Sequence, residues 1–261
     1  MDEILKVAIQ AAQEAGQHLM SRYGKAEVSQ KGSTQNLVTQ ADVEAEKLIC
    51  DLVQDTFPDH KLLLEEGQST GGAEDEHLWI IDPLDATNNF AHNIPHFSVS
   101  IAYASRGEVQ AGVIIDPTRD ELFHAVKGQG AFLNGEPMSV TAANCLEESI
   151  VGTGFYYDRG AMMKKTLDSI HTLFSRNIRG MRRMGSAAID LSWVACGRFD
   201  AFFEYKLEPW DYSAGKLLIE EAGGQCSDRL GNPLQIDSKS VIVSNGKIHD
   251  LIVDAVKWTD A

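Results

Sequence analysis

The chain opens with apolar residues at the spacing of an amphipathic helix. They recur every three or four positions and would form one buried stripe, Ile4, Val7, Ala8, Ala11, Ala12, Ala15 and Leu19. This pattern predicts a first helix that ends near Tyr23 and Gly24. Helical spacing together with start and stop signals predicts further helices over about 42–55, 161–174, 185–196, 209–222 and 248–256.

Short apolar runs between these helices predict β-strands. The runs at 62–64 and 79–81 do not alternate, which is typical of strands buried on both faces. Runs separated by turn signals predict an antiparallel meander over 97–104, 109–115, 121–126 and 130–133, and further strands are predicted at 149–153, 199–204 and 241–244. We therefore expect one α/β domain over 1–261, with an α+β half at about 1–145 and an α/β half at about 146–261.

Composition and charge restrict the possible partners. The 261 residues are 43% hydrophobic and include 23 Lys plus Arg against 38 Asp plus Glu, a net charge of −15. This charge makes broad affinity for nucleic acid or an anionic membrane unexpected. The start Met1-Asp2-Glu3 lacks a signal-peptide pattern and no apolar run could span a membrane, so we expect a cytoplasmic protein. Four cysteines without metal-type spacing are expected to be buried, reduced thiols.

The run at 79–81 leads directly into two carboxylates. Pro83 is expected to block the strand ladder and to turn the chain sharply, so that Asp82 and Asp85 converge on one point. Two close carboxylates stay ionised only beside a cation, and oxygen-only ligands favour Mg²⁺. The residues from Thr87 to Phe90 would form the first turn of a helix facing a bound anion. The alternative is a plain turn in which the Asp side chains bond to their own backbone.

Further carboxylates follow other predicted elements. Glu65 and Glu66 come directly after the strand at 62–64, and only one of the pair can face a pocket because adjacent strand residues point oppositely. Asp211 falls in the first turn of a helix opened by Pro209, where the helix dipole and a cation would both stabilise its charge. A polar stretch runs from Lys31 into the second helix at Asp42 and is a plausible mobile flap.

Two long motifs carry most of these residues. The string DPLDATNNF at 82–90 and the string WDYSAGKLLIEEAGG at 210–224 resemble the two signatures of the inositol monophosphatase family, in the right order and at the expected distance. The resemblance implies alternating helix and sheet layers, Mg²⁺ as cofactor and inhibition by Li⁺. It also implies a phosphatase in which water attacks in line and no phosphoenzyme forms.

The resemblance also implies residue roles. The implied Mg²⁺ ligands are Glu65, Asp82, Asp85, Asp211 and the carbonyl of Leu84. Glu65 and Thr87 would orient a water activated by the metal, and N–H groups of Ala86 and Thr87 would hold phosphate oxygens. Asp42 would lie near an additional Mg²⁺, with a plain helix N-terminal charge as the alternative.

Substrate contacts are implied by residues in the second half. Glu204 matches a family position that binds sugar or inositol hydroxyls, and Gly185, Ser186 and Ala187 match a loop lining the same side, with Asp211 also near the substrate. We therefore expect an inositol 1-phosphate or similar polyol phosphate phosphatase. Fructose-1,6-bisphosphatase and 3′-phosphoadenosine-5′-phosphate phosphatase remain alternatives within the enzyme class.

Two expectations concern partners. The strings RRMGSAA at 182–188 and LEPWD at 207–211 resemble the bacterial branch of the family, some members of which also bind RNA polymerase or transcription factors. A regulatory binding protein with a residual phosphatase site is therefore an alternative of a different class. The family also implies a homodimer.

Ala86 departs from the family signature, which more often has Gly at this position. Gly there could reflect either a left-handed backbone or close approach of a phosphate. Because Ala with positive φ would be strained by roughly 1 kcal/mol, we expect a negative φ at Ala86 and a methyl group pointing away from the phosphate.

Overall fold

The computed structural model describes residues 1–25, 28–33 and 36–258. The helices in these ranges are α1 Asp2–Arg22, α2 Gln40–Thr56, α3 Thr87–Ala91, α4 Ala161–Ser175, α5 Ala187–Ala195, α6 Pro209–Glu221 and α7 His249–Val256. The strands are β1 Val28–Ser33, β2 Asn36–Thr39, β3 Lys61–Leu64, β4 Leu78–Asp85, β5 Ser98–Ser105, β6 Glu108–Asp116, β7 Glu121–Val126, β8 Ala131–Leu133, β9 Glu136–Pro137, β10 Ile150–Thr153, β11 Gly180–Arg182, β12 Ala201–Glu204, β13 Gln225–Ser227 and β14 Val241–Ser244.

The elements stack as alternating layers of helices and sheets. Helices α1 and α2 cover one face of a seven-stranded sheet of order β3-β4-β5-β6-β7-β8-β9. Helices α5 and α6 lie between this sheet and a five-stranded sheet of order β11-β10-β12-β14-β13. Helices α4 and α7 cover the outer face of the second sheet. The layered fold class expected from the sequence is confirmed.

Strand β4 is buried along its whole length because both of its faces pack against helices. Trp79 and Ile81 belong to the core shared with α1 and α2. Leu78 and Ile80 belong to the core shared with α5 and α6. This two-sided burial explains the lack of alternation in the sequence and confirms the interpretation of 79–81 as a strand buried on both faces.

Helix α6 lies unusually close to the seven-stranded sheet. A Cβ atom at Gly112 of β6 would be 3.0 Å from both Cα and O of Ala214, so the two backbones are nearly in contact. The Ser100 hydroxyl of β5 donates a hydrogen bond of 3.1 Å to the carbonyl of Trp210. The first turn of α6 is therefore fixed against the sheet beside the end of β4.

Most predicted elements are present with bounds shifted by a residue or two, and the meander from β5 to β8 is confirmed. The short strands β11 and β13 were not predicted, since their assignment depends on pairing with β10 and β14. The predicted flap from Lys31 includes residues 34 and 35, which lie outside the described residues. The described part on either side forms an antiparallel pair, β1 and β2.

The cysteines and the helices can be compared with the expectations of buried thiols and of no membrane span. All four cysteines are free thiols, but only Cys226 is buried, whereas Cys50, Cys145 and Cys196 are half-buried. Among the described residues, no helix combines the length and the apolar character that crossing a membrane requires.

Candidate active site

A β-bulge at the end of β4 brings the two motif carboxylates together. Asp82 pairs with Ser100 and Asp85 pairs with Ser98, so two residues of β4 face one of β5 between these pairs. Ser98 and Ser100 point to the same face of β5, and the extra residue therefore places Asp82 and Asp85 on one face as well. The expectation that Pro83 ends the ladder is wrong, because β4 resumes pairing at Asp85 after the bulge.

Carboxylates from three elements meet beside this bulge. We call Glu65, Asp82, Asp85 and Asp211 the carboxylate wall. Glu65 follows β3, which runs parallel to β4 with Leu64 beside Ile81. Burial raises the pKa of Asp82 well above its usual range, and the charges of Glu65, Asp85 and Asp211 raise it further. Burial, followed by the charges of Glu65 and Asp85, also raises the pKa of Asp211. The four carboxylates repel one another because they line one cavity.

The start of α6 fixes the direction of Asp211. Its Oδ2 atom accepts a hydrogen bond of 2.7 Å from the backbone N–H of Glu208, as part of a capping box with Pro209 in the first turn. The prediction of Asp211 in the first turn of a Pro-initiated helix is confirmed. One carboxylate oxygen is therefore tied to the helix start.

Glu65 and Glu66 point to different surroundings. Glu65 lines the cavity beside the carboxylate wall. The charge of Glu66 contributes to the raised pKa of Asp42, and its backbone N–H donates a hydrogen bond of 2.9 Å to Glu46. Of the two neighbours, only Glu65 lines the cavity.

Asp42 is buried behind Thr87. Its Oδ2 atom caps α2 by accepting hydrogen bonds from the N–H and hydroxyl of Thr39, at 2.9 and 2.5 Å. Its Oδ1 atom lies 3.0 Å from the hydroxyl of Thr87, which is also 3.2 Å from the Leu84 carbonyl. Both oxygens of Asp42 are therefore engaged, and the residue supports Thr87 from outside the cavity. Its role near an additional Mg²⁺ stays a prediction.

The backbone at Ala86 differs from the expectation. Its φ is 78° and its ψ is 48°, so the residue is left-handed and the prediction of a negative φ is wrong. The chain must leave the bulged strand and enter α3 within one residue, and the Ala86 carbonyl accepts the first bond of that helix from Phe90. The methyl group packs against the core formed with α1 and α2, which offsets part of the strain.

The loop before α5 reaches Asp85 directly. The Ser186 hydroxyl caps α5 and donates a hydrogen bond of 2.5 Å to Asp85 Oδ2, to which the N–H of Ala188 also donates at 2.8 Å. These bonds lower the pKa of Asp85 against the larger, opposing effect of burial. The second half of the chain thus fixes a carboxylate of the first half.

The carboxylate wall lines a cavity of about 340 Å³. The predicted residues that line it are Glu65, Asp82, Leu84, Asp85, Ala86, Thr87, Gly185, Ala187, Glu204 and Asp211. Asp42 and Ser186 lie behind this lining. Glu204 is buried, and burial raises its pKa to about 8, against a lowering by Arg183. We call Gly185, Ala187, Glu204 and Tyr157 the loop wall.

Several lining residues were not predicted as site residues. Tyr157 comes from the loop between β10 and α4, and Asp190 comes from the inner face of α5. Asp190 Oδ1 is buried without a hydrogen bond, 3.9 Å from Nε2 of the buried His96. Only the polar aromatic pair after a strand, Tyr156-Tyr157, gives a signal in the sequence, since α5 shows no polar stripe that distinguishes Asp190.

The donors of the carboxylate wall suit a hard cation. Carboxylate and carbonyl oxygens are the ligands of Mg²⁺, and no thiol or imidazole lines this cavity among the described residues. In the described part of the chain, no three acidic, His or Cys side chains are grouped so that they could hold a metal ion as they stand. The residues therefore fit Mg²⁺ by chemistry, and the repulsion among them is what a cation would relieve.

Oxygen ligands for a hard cation beside polar groups that suit a small organic phosphate define the class of metal-dependent phosphatases. The chain belongs to the inositol monophosphatase family, whose model matches residues 1–259. Members of this family are generally Mg²⁺-dependent. The chain is accordingly a phosphatase of the inositol monophosphatase type.

Individual relatives span nearly the whole chain. It is 39% identical over 251 residues to the Nus factor SuhB of Escherichia coli strain K12, covering 95% of this chain and 93% of that protein. It is 40% identical over 259 residues to the inositol-1-monophosphatase of Synechocystis sp., covering 98% and 89%. The solved structure of Thermotoga maritima IMPase matches with a TM-score of 0.90 and 38% identity, covering 98% of this chain and 97% of that one.

Proposed function

We propose that the protein hydrolyses inositol 1-phosphate or a similar polyol phosphate with Mg²⁺ as cofactor. The observation that carries this proposal is the joining of a four-carboxylate wall and a buried Glu204 in one cavity. Glu65, Asp82, Asp85, Asp211 and the Leu84 carbonyl would hold the metal. When bound, Mg²⁺ supplies charge for the phosphate and lowers the pKa of the attacking water.

Thr87 is suited to orient that water. Its hydroxyl proton has two acceptors, Asp42 Oδ1 at 3.0 Å and the Leu84 carbonyl at 3.2 Å. When the proton points to either acceptor, the lone pairs of Oγ1 remain able to accept a hydrogen bond from water. Glu65, on the same cavity surface, would take the second orienting contact.

The start of α3 is suited to hold the phosphate. The left-handed Ala86 followed by helical residues turns successive N–H groups toward one side, an arrangement that binds anions. The N–H groups of Ala86 and Thr87 would contact phosphate oxygens, while Glu204 and the loop from Gly185 to Ala187 would contact hydroxyl groups of the leaving alcohol. A carboxylate at Glu204 favours a polyol over a nucleotide.

The test is a hydrolysis panel with and without Mg²⁺. The substrates are inositol 1-phosphate, fructose 1,6-bisphosphate, histidinol phosphate and 3′-phosphoadenosine 5′-phosphate, ranked by kcat/KM. We expect millimolar-range Mg²⁺ dependence, inhibition by Li⁺ and the highest efficiency on a polyol phosphate. Full activity in excess chelator would refute the metal role, and a nucleotide at the top of the ranking would refute the substrate class.

A regulatory role is the second candidate, and the similarity to a Nus factor favours it. In this role the protein would bind RNA polymerase or a transcription factor. Co-purification of polymerase with wild type and with the Asp85→Asn variant alike would support a binding function independent of phosphatase activity. Loss of polymerase from both would remove this candidate.

Two further expectations belong to the same proposal. We expect a cytoplasmic homodimer that acts on a small phosphorylated substrate and binds nucleic acid only weakly because of its charge of −15. Sedimentation at micromolar concentration measures the assembly directly. A purely monomeric protein would contradict the homodimer.

A further inference from the structure

The loop between β10 and α4 contributes an aromatic rim to the cavity. Phe155, Tyr156 and Tyr157 of this loop line the cavity, and the two tyrosines are 40% and 38% exposed as whole residues. Large aromatic residues at a polar cavity contribute both apolar contact area and a hydroxyl group. The loop is therefore a candidate for substrate contact. None of the roles proposed above involves it.

The start of the loop is packed directly on Glu204. A Cβ atom at Gly154 would be 1.8 Å from Glu204 Oε2, so any side chain there would have to displace this carboxylate. Gly154 precedes the tyrosines by two and three residues. The loop therefore runs from Gly154, beside Glu204, over the cavity. This path places Tyr157 near Glu204, which is proposed to bind hydroxyl groups of the leaving alcohol.

The far end of the loop is also fixed. Asp158 Oδ2 accepts a hydrogen bond of 3.0 Å from the N–H of Met162 in the first turn of α4. The guanidinium of Arg159 donates a hydrogen bond of 3.0 Å to the carbonyl of Tyr156. With both ends held, the loop presents its two tyrosines in defined directions.

The two tyrosines face different surroundings. The ammonium of Lys206 lies 5.7 Å from the ring centre of Tyr156, a cation–π contact at the rim. Tyr157 instead reaches across to α3, where the Asn88 side-chain amide donates to its hydroxyl at 3.5 Å. Burial first, and then the charges of Glu65 and Asp211, raise the pKa of Tyr157. The hydroxyl therefore remains protonated at neutral pH.

We propose that Tyr157 binds the leaving group of the substrate, with its hydroxyl on a substrate hydroxyl and its ring against the C–H face of a cyclic polyol. This inference rests on the proposed function and deepens it. A phenol can donate and accept, so it complements Glu204, on which Gly154 at the start of the loop is packed. Asn88 holds the hydroxyl in the free protein, and substrate would replace this long hydrogen bond with a shorter one.

The test uses two adjacent hydroxyl deletions, Tyr157→Phe and Tyr156→Phe as its matched control. Each is assayed with Mg²⁺ on the best polyol phosphate of the panel and on p-nitrophenyl phosphate, whose leaving group has no hydroxyl to recognise. We expect Tyr157→Phe to lower kcat/KM on the polyol phosphate about tenfold, mainly through KM, the effect of one lost hydrogen bond. Its activity on p-nitrophenyl phosphate, and both activities of Tyr156→Phe, should stay within about twofold of wild type.

Every other result would overturn the inference, and each would point to a different cause. Equal losses on both substrates would mean that the phenol acts at the phosphate, and no loss would mean that it does not touch substrate. Equal effects of the two variants would indicate a general disturbance of the loop. A wild-type protein that releases no phosphate from any polyol phosphate would defeat the proposed function itself, and the inference with it.

Discussion

The two walls of the cavity are built in different ways. The carboxylate wall comes from the ends of β3 and β4 and the first turn of α6, which are regular elements. The loop wall comes from the segments before α5 and after β10, which carry Gly185 and Tyr157, and from the ends of α5 and β12, which carry Ala187 and Glu204. Hydrogen bonds to helix starts and a bulge fix the carboxylate wall, which joins Asp211 of the second half to three carboxylates of the first. All four residues of the loop wall belong to the second half. We expect the chemistry to depend on the carboxylate wall and the choice of substrate to depend on the loop wall.

Asp85→Asn is expected to have the largest effect. The variant keeps the side-chain shape that Ser186 and Ala188 bond to, but loses a proposed metal ligand and one of the repelling charges. We expect kcat to fall by about three orders of magnitude with the fold intact. Phosphate release with saturating Mg²⁺ measures the loss, and circular dichroism checks the fold.

Ser98→Ala is a suitable control for Asp85→Asn. The Ser98 hydroxyl lies 3.4 Å from Asp85 Oδ2 and is only one of several donors to it. Its removal should change kcat far less than the loss of the charge. Near-normal turnover in Asp85→Asn would break the distinction between the two walls.

Glu204→Gln tests the loop wall and should have a smaller, selective effect. The amide keeps the size of the group that packs against Gly154 but changes its hydrogen bonding to hydroxyls. We expect kcat/KM on a polyol phosphate to fall about tenfold, with p-nitrophenyl phosphate affected less. A uniform loss on both substrates would assign Glu204 to catalysis rather than to recognition.

The stability of the metal-free protein should fall as pH rises. Burial raises the pKa of Glu204 from its ordinary value of 4.5 to about 8. Below pH 4.5 both folded and unfolded states hold this proton, whereas above it the unfolded state releases the proton more easily and gains in relative stability until about pH 8. The raised pKa values of Asp82 and Asp211 act in the same direction.

Melting curves from pH 5 to 8, with chelator and with Mg²⁺, measure this effect. We expect Tm in chelator to fall by several degrees across the range, and Mg²⁺ to stabilise the protein most at the upper end, where the carboxylates are ionised. A Tm in chelator that rises with pH would contradict the repulsion within the carboxylate wall.

Ala86→Gly should have the smallest effect. Glycine relieves the left-handed strain at φ 78° but loses the methyl contact with the core and gains freedom in the unfolded chain. We expect the free energy of unfolding to change by less than about 1 kcal/mol and kcat to stay within about twofold. Urea unfolding measures the first quantity. A loss well above 1 kcal/mol would show that methyl packing outweighs strain.

The sequence predicted the carboxylate wall better than the loop wall for a physical reason. Asp82, Asp85 and Asp211 each stand at a fixed distance from a strong local signal, an apolar run or a helix-starting Pro209. Tyr157 and Asp190 gain their positions only when β10, α4 and α5 pack against the first half. Periodicity along the chain gives no information about how these elements pack against the first half.

The backbone at Ala86 shows a different limit of sequence reasoning. Residue preferences argue for negative φ, and in most places they would prevail. Here the bulge at Pro83 and the start of α3 fix the chain on both sides, so geometry overrides a local cost of about 1 kcal/mol. A preference of that size decides a conformation only where neighbouring elements leave the choice open.

The contact between Gly112 and Ala214 bears on how the protein is made. Glu65, Asp82 and Asp85 leave the ribosome long before Asp211, which takes its place only when α6 settles on β5 and β6. A nascent chain that stops short of α6 therefore carries three of the four carboxylates, together with the Ser186 and Ala188 donors to Asp85, but lacks Asp211. The carboxylate wall is accordingly completed late in biogenesis, when α6 docks on the sheet.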